Sequence, residues 1–169
     1  MEVVDAELEN CTVLCGSFNP LHEGHIKLLE AAHQLSQKEH MVFELSINNK
    51  DKGSIDEKEL ISRIAQFKHR NLNLIVTQVP MFFEKAKLIR NSCFAIGYDT
   101  YVRLLNLKYY KNDIKYLIGE LQDQQQNVGT SFAVAGRLNA ITKTFEHIQD
   151  SMVEKIITDQ IGEQNQTPD

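Results

Sequence analysis

No apolar run in these 169 residues approaches the roughly 20 needed to cross a bilayer. The opening Met-Glu-Val-Val-Asp-Ala-Glu lacks the basic flank of a secretory signal. Neither a membrane protein nor an exported one is expected. Cysteine is scarce: Cys11, Cys15 and Cys93 are an odd number, and Cys11 and Cys15 do not have the Cys-x-x-Cys spacing of oxidoreductases. They are expected to be buried thiols in a reducing, cytoplasmic compartment. Positive charge is also in short supply. A net charge of -5 argues against an extended nucleic-acid footprint, which is usually basic, so any anionic ligand must be held by local positive charge.

Internal repeats are missing too, and low complexity is confined to Asp123-Gln-Gln-Gln-Asn-Val-Gly129, expected as a helix end and exposed loop. Residues 163–169 are polar enough to form a disordered tail. The rest, with 42% hydrophobic and 24% charged residues overall, has the composition of an ordinary globular protein. Residues 1–162 are long enough to bury one core and are expected to form a single domain.

Along that domain, short apolar strands alternate with amphipathic helical patterns. Strands are expected at Val13–Leu14, Met41–Ile47, Leu74–Thr77, Cys93–Gly97 and Ser131–Ala135. A first helix begins near Glu23 with the stripe His25, Leu28, Leu29, Ala32, Leu35. A second follows the capping-box spacing Ser54-Ile-Asp-Glu57, with Leu60, Ile61, Ile64, Ala65 and Phe67 as its apolar face. Further helices are expected at about 84–90, 99–106, 112–125 and 145–160. Continuous apolar strands alternating with helices indicate an α/β fold, a doubly wound parallel sheet of about five strands covered on both faces. Ligands of such sheets bind at the carboxyl ends of the strands, near a topological switch point.

The residues on that rim carry the chemistry. Gly16-Ser17-Phe18-Asn19-Pro20 breaks the first strand, and Leu21-His22-Glu23-Gly24-His25 opens the first helix. A helix start presents unpaired N–H groups and partial positive charge, and so attracts an anion. Gly16 and Gly24 let a phosphate approach the backbone. His22 and His25, three apart in the first turn, can hydrogen-bond phosphoryl oxygens while charge builds in a transition state. A His-x-x-His pair can also hold a metal, but zinc needs four Cys/His ligands in a structural site and three protein ligands in a catalytic one. His33, His40, His69 and His147 fall in separate expected elements, and no protein-bound metal is expected.

Other rim positions are Ser46 through Lys52, Gly97 with Asp99, and Gly136 with Arg137. Lys52 would offset phosphate charge as a compact cation, whereas Asp51 reads as a solvated loop residue. Asp99 is either a helix N-cap or a ribose contact. Arg137 would pair with a phosphate bidentately or mark a surface turn. Phe82 and Phe83 read as core or as rings flanking a base. Lys85, Lys87 and Arg90 read as a solvated helix face.

The stretch from Gly16 to His25 resembles the signature of the nucleotidylyltransferase superfamily, G-x-F-x-P-x-H-x-G-H, in all its fixed positions: Gly16, Phe18, Pro20, His22, Gly24 and His25. The strand, loop and helix context is the one that gives such a motif meaning. The resemblance continues through Leu45–Lys52, Arg63–Phe67, Phe83–Ala86, Phe94–Thr100 and Lys108–Tyr110. These are similar to a cytidylyltransferase-like subgroup related to nicotinamide-nucleotide adenylyltransferases, some of whose members are joined to a CinA-type partner. The similarity runs from about residue 11 to 150, and no CinA-like part is present in this sequence. It implies a Rossmann-like fold and transfer of a nucleoside monophosphate, AMP from Mg²⁺-bound ATP, to a phosphate-bearing acceptor with release of pyrophosphate. The acceptor implied is nicotinamide mononucleotide or its acid form. His22 and His25 would be catalytic. Gly16, Ser17, Phe18, Asn19, Gly24, Lys52, Gly97, Asp99 and Arg137 would line the nucleotide.

One departure stands out. Members usually carry a late Ser-Ser/Thr-Thr-x-x-Arg segment that grips the outer phosphates, but here Gln160-Ile-Gly-Glu163 stands about where it would begin and no arginine follows Arg137. A nucleotide-binding or interaction protein without turnover is therefore the alternative. On the residues alone, ATP or CTP as donor, and nicotinamide nucleotides, pantetheine phosphate or a cytidylyl substrate, stay open. So does the oligomeric state. A class I aminoacyl-tRNA synthetase shares a histidine motif, but this chain is too short and has no Lys-Met-Ser-Lys-Ser-like loop.

Overall fold

Alternating strands and helices assemble here around one parallel sheet. The structure, a computed structural model, describes residues 8–49, 53–138 and 145–146. The sheet strands are β1 (Cys11–Gly16), β2 (His40–Ser46), β3 (Leu74–Thr77), β4 (Cys93–Gly97) and β5 (Ser131–Ala135). Their order is β3-β2-β1-β4-β5. The pairs β1/β2, β1/β4 and β2/β3 are all parallel, with Leu14 opposite Phe43 and Ala95, and Leu45 opposite Val76. The chain thus winds outward from β1 to β3, then returns to add β4 on the other side of β1. This is the doubly wound, Rossmann-like α/β arrangement, with its switch point between β1 and β4.

The helices between these strands are α1 (Glu23–Ser36), α2 (Glu57–His69), α3 (Phe82–Leu88), α4 (Tyr98–Leu104) and α5 (Ile114–Asp123). Side chains alternate across each strand, so the two faces differ. One face carries Leu14, Phe43, Leu45 and Ala95, buried with Phe18, Leu21, Leu29, Ala32 and Phe67 of the loop, α1 and α2. The opposite face carries Cys15, Glu44, Thr77 and Phe94 and meets α3, where Phe82 packs edge-on against Phe94 with centroids 4.8 Å apart.

Backbone contacts divide the chain into two units, Met1–Ile96 with Asp123–Ala133, and Gly97–Gln122 with Val134–Asp169. The first holds nearly all of the sheet. In the second, α4 is followed by a single turn at Leu107–Tyr109, and the Tyr110 hydroxyl donates to the Leu104 carbonyl at 2.6 Å.

Several expectations are corrected in detail. Leu35 is 81% exposed and Ile61 60% exposed, so neither belongs to an apolar face. On α2 the inward stripe is Leu60, Ile64 and Phe67, at i, i+4 and i+7, and Ile61 falls outside it. The N-cap of α2 is Asp56, whose carboxylate accepts from the Glu59 N–H at 2.8 Å; Ser54 lies instead in a short antiparallel pair with Asn48–Asn49. The polar stretch after Asp123 is a π-turn, Gln124–Val128, with Gln124 and Val128 buried. Gln124 is inside because its amide donates to the Phe83 carbonyl at 3.2 Å and accepts from Thr130 at 2.7 Å. Phe145–Glu146, expected to open a helix, pair antiparallel with Arg137–Leu138. The remainder of that expected helix, and the tail from residue 163, lie outside the described residues.

Candidate functional site

At the carboxyl end of β1 the chain turns through Ser17–Leu21 and enters α1 at the N-cap His22. Phe18 is the anchor of this loop. Its ring is 1% exposed and meets Phe43, Phe67 and His25 edge-on, with centroids 5.5, 5.1 and 5.2 Å away. Burying a ring of this size removes it from the surface, so any ligand contact by Phe18 would be through its backbone. The Phe18 ring also explains Gly16: a Cβ there would meet Phe18 Cζ at 2.9 Å. The glycine makes room for the anchor as well as for a ligand.

Gly24 has the matching role for the histidines, since a Cβ on it would meet His22 Cε1 and Nδ1 at 2.9 Å. With that space open, the His22 and His25 rings stack, centroids 3.6 Å apart and 20° between planes. The His22 N–H donates to His25 Nδ1 at 3.1 Å. The tautomer of His25 follows from that bond: Nδ1 accepts, so the neutral ring carries its proton on Nε2, which remains as a donor. Burial, and then the neighbouring His22, hold His25 below the ordinary histidine value. His25 is therefore a neutral N–H donor at pH 7.

The helix head adds to this. The His22 carbonyl accepts from His25 N at 3.1 Å and Ile26 N at 3.4 Å, while the N–H groups of Glu23 and Gly24 precede any intrahelical acceptor. The one acid of this turn, Glu23, is paired with Arg70 at 2.9 Å, which offsets its charge beside the anion-attracting end of α1. Among the described residues, no group of three or more His, Cys, Asp or Glu is placed to hold a metal ion.

Two residues of α2, not singled out for any role by the local sequence pattern, fix the loop. Gln66 Nε2 donates to the Phe18 carbonyl at 2.9 Å, and Gln66 Oε1 accepts from the Leu21 N–H at 2.7 Å. Arg63 Nη1 donates to the Ser17 carbonyl at 3.1 Å, and Nη2 pairs with Glu59. Their partners lie 45 to 48 residues away in sequence, beyond any periodicity window. The available signal was two polar residues, Arg63 and Gln66, interleaved with the buried stripe of an amphipathic helix.

Of the residues expected to act, the first unit thus gathers Gly16, Ser17, Phe18, Asn19, His22, Gly24 and His25 on one loop and helix head. Asn19 and Pro20 are joined by a cis peptide bond. Gly97 and Asp99 stand at the head of α4 in the second unit, where Gly97, not Asp99, is the N-cap. Arg137 begins the short strand paired with Phe145–Glu146. Lys52 and Asp51 lie outside the described residues.

Elsewhere in the first unit one reading changes and another is decided. Lys85, expected on a solvated face, is only 13% exposed in its side chain and reaches Glu44 at 3.2 Å. Phe83 is buried and Phe82 packs on Phe94 and Phe132, so these aromatics belong to the core. Cys11, Cys15 and Cys93 are free thiols; burial pushes Cys11 up to about 11 and raises the other two, which keeps all three protonated.

A Schizosaccharomyces pombe protein provisionally named a nicotinamide mononucleotide adenylyltransferase is 29% identical over 111 residues, 59% of this chain and 43% of that protein. The chain spans less than half the length of that relative. The profile of the Cytidylyltransferase-like family matches residues 13–156, which takes in the sheet, the loop and both histidines. The chain belongs to the cytidylyltransferase-like family of the nucleotidylyltransferase superfamily.

Proposed function

We propose that this chain is a nucleotidyltransferase that moves AMP from ATP to nicotinamide mononucleotide or nicotinate mononucleotide and releases pyrophosphate. The observation that carries the reading is the His22/His25 pair at the head of α1, with His25 held neutral and its Nε2–H as donor. Such a pair, together with the leading N–H groups of the helix, can accept a polyphosphate without a covalent nucleophile.

In the reaction an oxygen of the acceptor phosphate attacks the α-phosphorus. The bond from that phosphorus to the bridging oxygen breaks, and its electron pair leaves with pyrophosphate. The protein's work is positioning and charge stabilisation. His25 would donate through Nε2, and His22 would meet the same phosphates from the N-cap. Gly16, Ser17, Asn19 and Gly24 would allow close backbone approach. Lys52 would offset phosphate charge, Gly97 and Asp99 would lie along the ribose, and Arg137 would pair with a phosphate. Mg²⁺ would arrive with the triphosphate, keeping several of its waters, and would neutralise triphosphate charge. A reducing, cytoplasmic setting is one in which three free thiols would persist.

A second reading, nucleotide binding without turnover, is favoured by one observation: Gln160-Ile-Gly-Glu163 stands about where the arginine-bearing phosphate segment would begin. Losing one charged phosphate contact forfeits roughly 1.5–3 kcal/mol. The two readings separate in one assay. Pyrophosphate release from Mg²⁺-ATP with either acceptor, abolished in His22→Ala or His25→Ala, is expected of the enzyme. A folded protein that binds ATP and releases none with either acceptor would establish the second reading.

A further inference from the structure

The loop that carries the histidines has little to hold it by itself. Its five residues, 17–21, have no regular structure, and Phe18 sits in the left-handed backbone region at φ 48°, where a bulky side chain is strained. Something outside the loop must over-determine this conformation. The buried Phe18 ring supplies one constraint. The main chain from Phe18 to Leu21 is held by a single amide: Gln66 grips the Phe18 carbonyl with Nε2 and the Leu21 N–H with Oε1, at 2.9 and 2.7 Å. A third bond, from Nε2 to the Arg63 carbonyl at 3.2 Å, sets the orientation of that amide. One turn earlier Arg63 holds the Ser17 carbonyl at 3.1 Å and is itself paired with Glu59.

This pattern has a chemical consequence. Two consecutive carbonyls, of Ser17 and Phe18, are occupied by donors from α2. In a loop that must receive an anion, free carbonyl lone pairs would repel it. The clamp engages those acceptors, and the Phe18 ring it fixes stands edge-on to His25 at 5.2 Å. The loop geometry therefore sets one wall of the His25 environment.

We propose that Gln66, with Arg63 in support, is a positioning residue for the transfer reaction: it locks the Ser17–Leu21 loop and, through Phe18, the orientation of His25. The catalytic part of this inference rests on the nucleotidyltransferase reading; the geometric part does not. Gln66 itself meets the loop and not the reacting atoms.

The test uses the full chain with Gln66→Met, which keeps length but removes both hydrogen bonds, and Gln66→Glu, which keeps an acceptor for Leu21 and loses the donor to Phe18. The first readout is the ring ¹⁵N shifts of His22 and His25 without nucleotide. In the wild type His25 should show a protonated Nε2 and an unprotonated Nδ1. In Gln66→Met both shifts should move toward the average of two tautomers while core methyl shifts stay in place, and Gln66→Glu should fall between. The second readout is pyrophosphate release, where kcat should fall by about 100-fold or less, the cost of a misplacement of order 1 Å, and by more than KM rises. Unchanged histidine shifts in folded variants would overturn the proposal, as would a kcat and KM equal to the wild type's. Failure of both variants to fold would assign Gln66 to fold stability alone and overturn it too. A wild type that releases no pyrophosphate would sink the transferase reading, and the histidine shifts would still decide the role of Gln66.

Discussion

The His22 N–H donates to His25 Nδ1 at 3.1 Å while the two rings lie stacked at 3.6 Å. Each feature disfavours a proton on His25: the bond occupies the nitrogen that protonation would convert to a donor, and the stacked neighbour adds positive charge when it is itself protonated. Burial and His22 both lower the His25 value from 6.5. The unfolded chain then binds this proton more readily than the native one. The stability gained from a neutral His25 is complete above 6.5 and is lost as pH falls through the lower, folded value. Thermal unfolding followed between pH 7.5 and 5 should show a smaller decline in His25→Asn than in the wild type. Equal slopes would mean that His25 titrates as an exposed histidine.

Gly24→Ala should separate folding from ligand binding. A helical Gly→Ala exchange usually stabilises, by roughly 0.5–1 kcal/mol. Here the added Cβ meets the His22 ring at 2.9 Å, and that ring is exposed and can swing away. The expected outcome is an unfolding midpoint equal to or above the wild type's, with ATP affinity reduced about tenfold, the loss of one ordinary hydrogen bond. Calorimetric titration with Mg²⁺-ATP checks it; wild-type affinity would show that the His22 ring position does not matter to the nucleotide.

Gly16→Ala should do the opposite. Its Cβ meets Phe18 Cζ at 2.9 Å, and the Phe18 ring, wedged between Phe43 and Phe67, has nowhere to go. Overpacking of this kind costs about 1–3 kcal/mol. A denaturant midpoint lowered accordingly is expected, and an unchanged one would mean that the loop shifts as a body to relieve the contact.

The contrast between these glycines shows what was legible in the sequence. Both were marked by the motif, and strand, loop and helix fell where periodicity put them, because β1 and β4 are buried on both faces and, like the more exposed edge strands β3 and β5, read as short apolar runs. The reason for each glycine was not legible, because it depends on where a ring lands after the chain has folded. The same holds for Gln66, whose partners are brought to it only by packing α2 against the β1–α1 loop. Leu35 and Ile61 failed for a related reason: a stripe pattern counts apolar residues, but the width of the face that packs is set by the neighbouring element. Gln124 was misread because a buried amide looks polar until its partners, Phe83 and Thr130, are known.

Glu44 was the largest omission, a carboxylate with no exposure in the middle of a parallel strand. An unpaired charge there would be untenable. It is balanced by the Thr77 hydroxyl at 2.6 Å and the Lys85 ammonium at 3.2 Å, beside the Cys15 thiol, whose value burial and then Glu44 raise and Lys85 lowers. The two partners are not equivalent, because Lys85 retains 13% exposure and Glu44 none. Lys85→Met strands a buried charge and should destabilise by about 3–5 kcal/mol. Glu44→Gln leaves a cation that can turn toward water, so it should cost less. Replacing both with Gln and Met removes the charges together and should recover most of the loss, since neutral groups of similar volume often substitute for a buried pair. Urea unfolding of the four proteins measures this as a coupling between the positions. Additive losses would mean that Glu44 is satisfied by Thr77 alone, and that Lys85 lies over it without contributing to the fold.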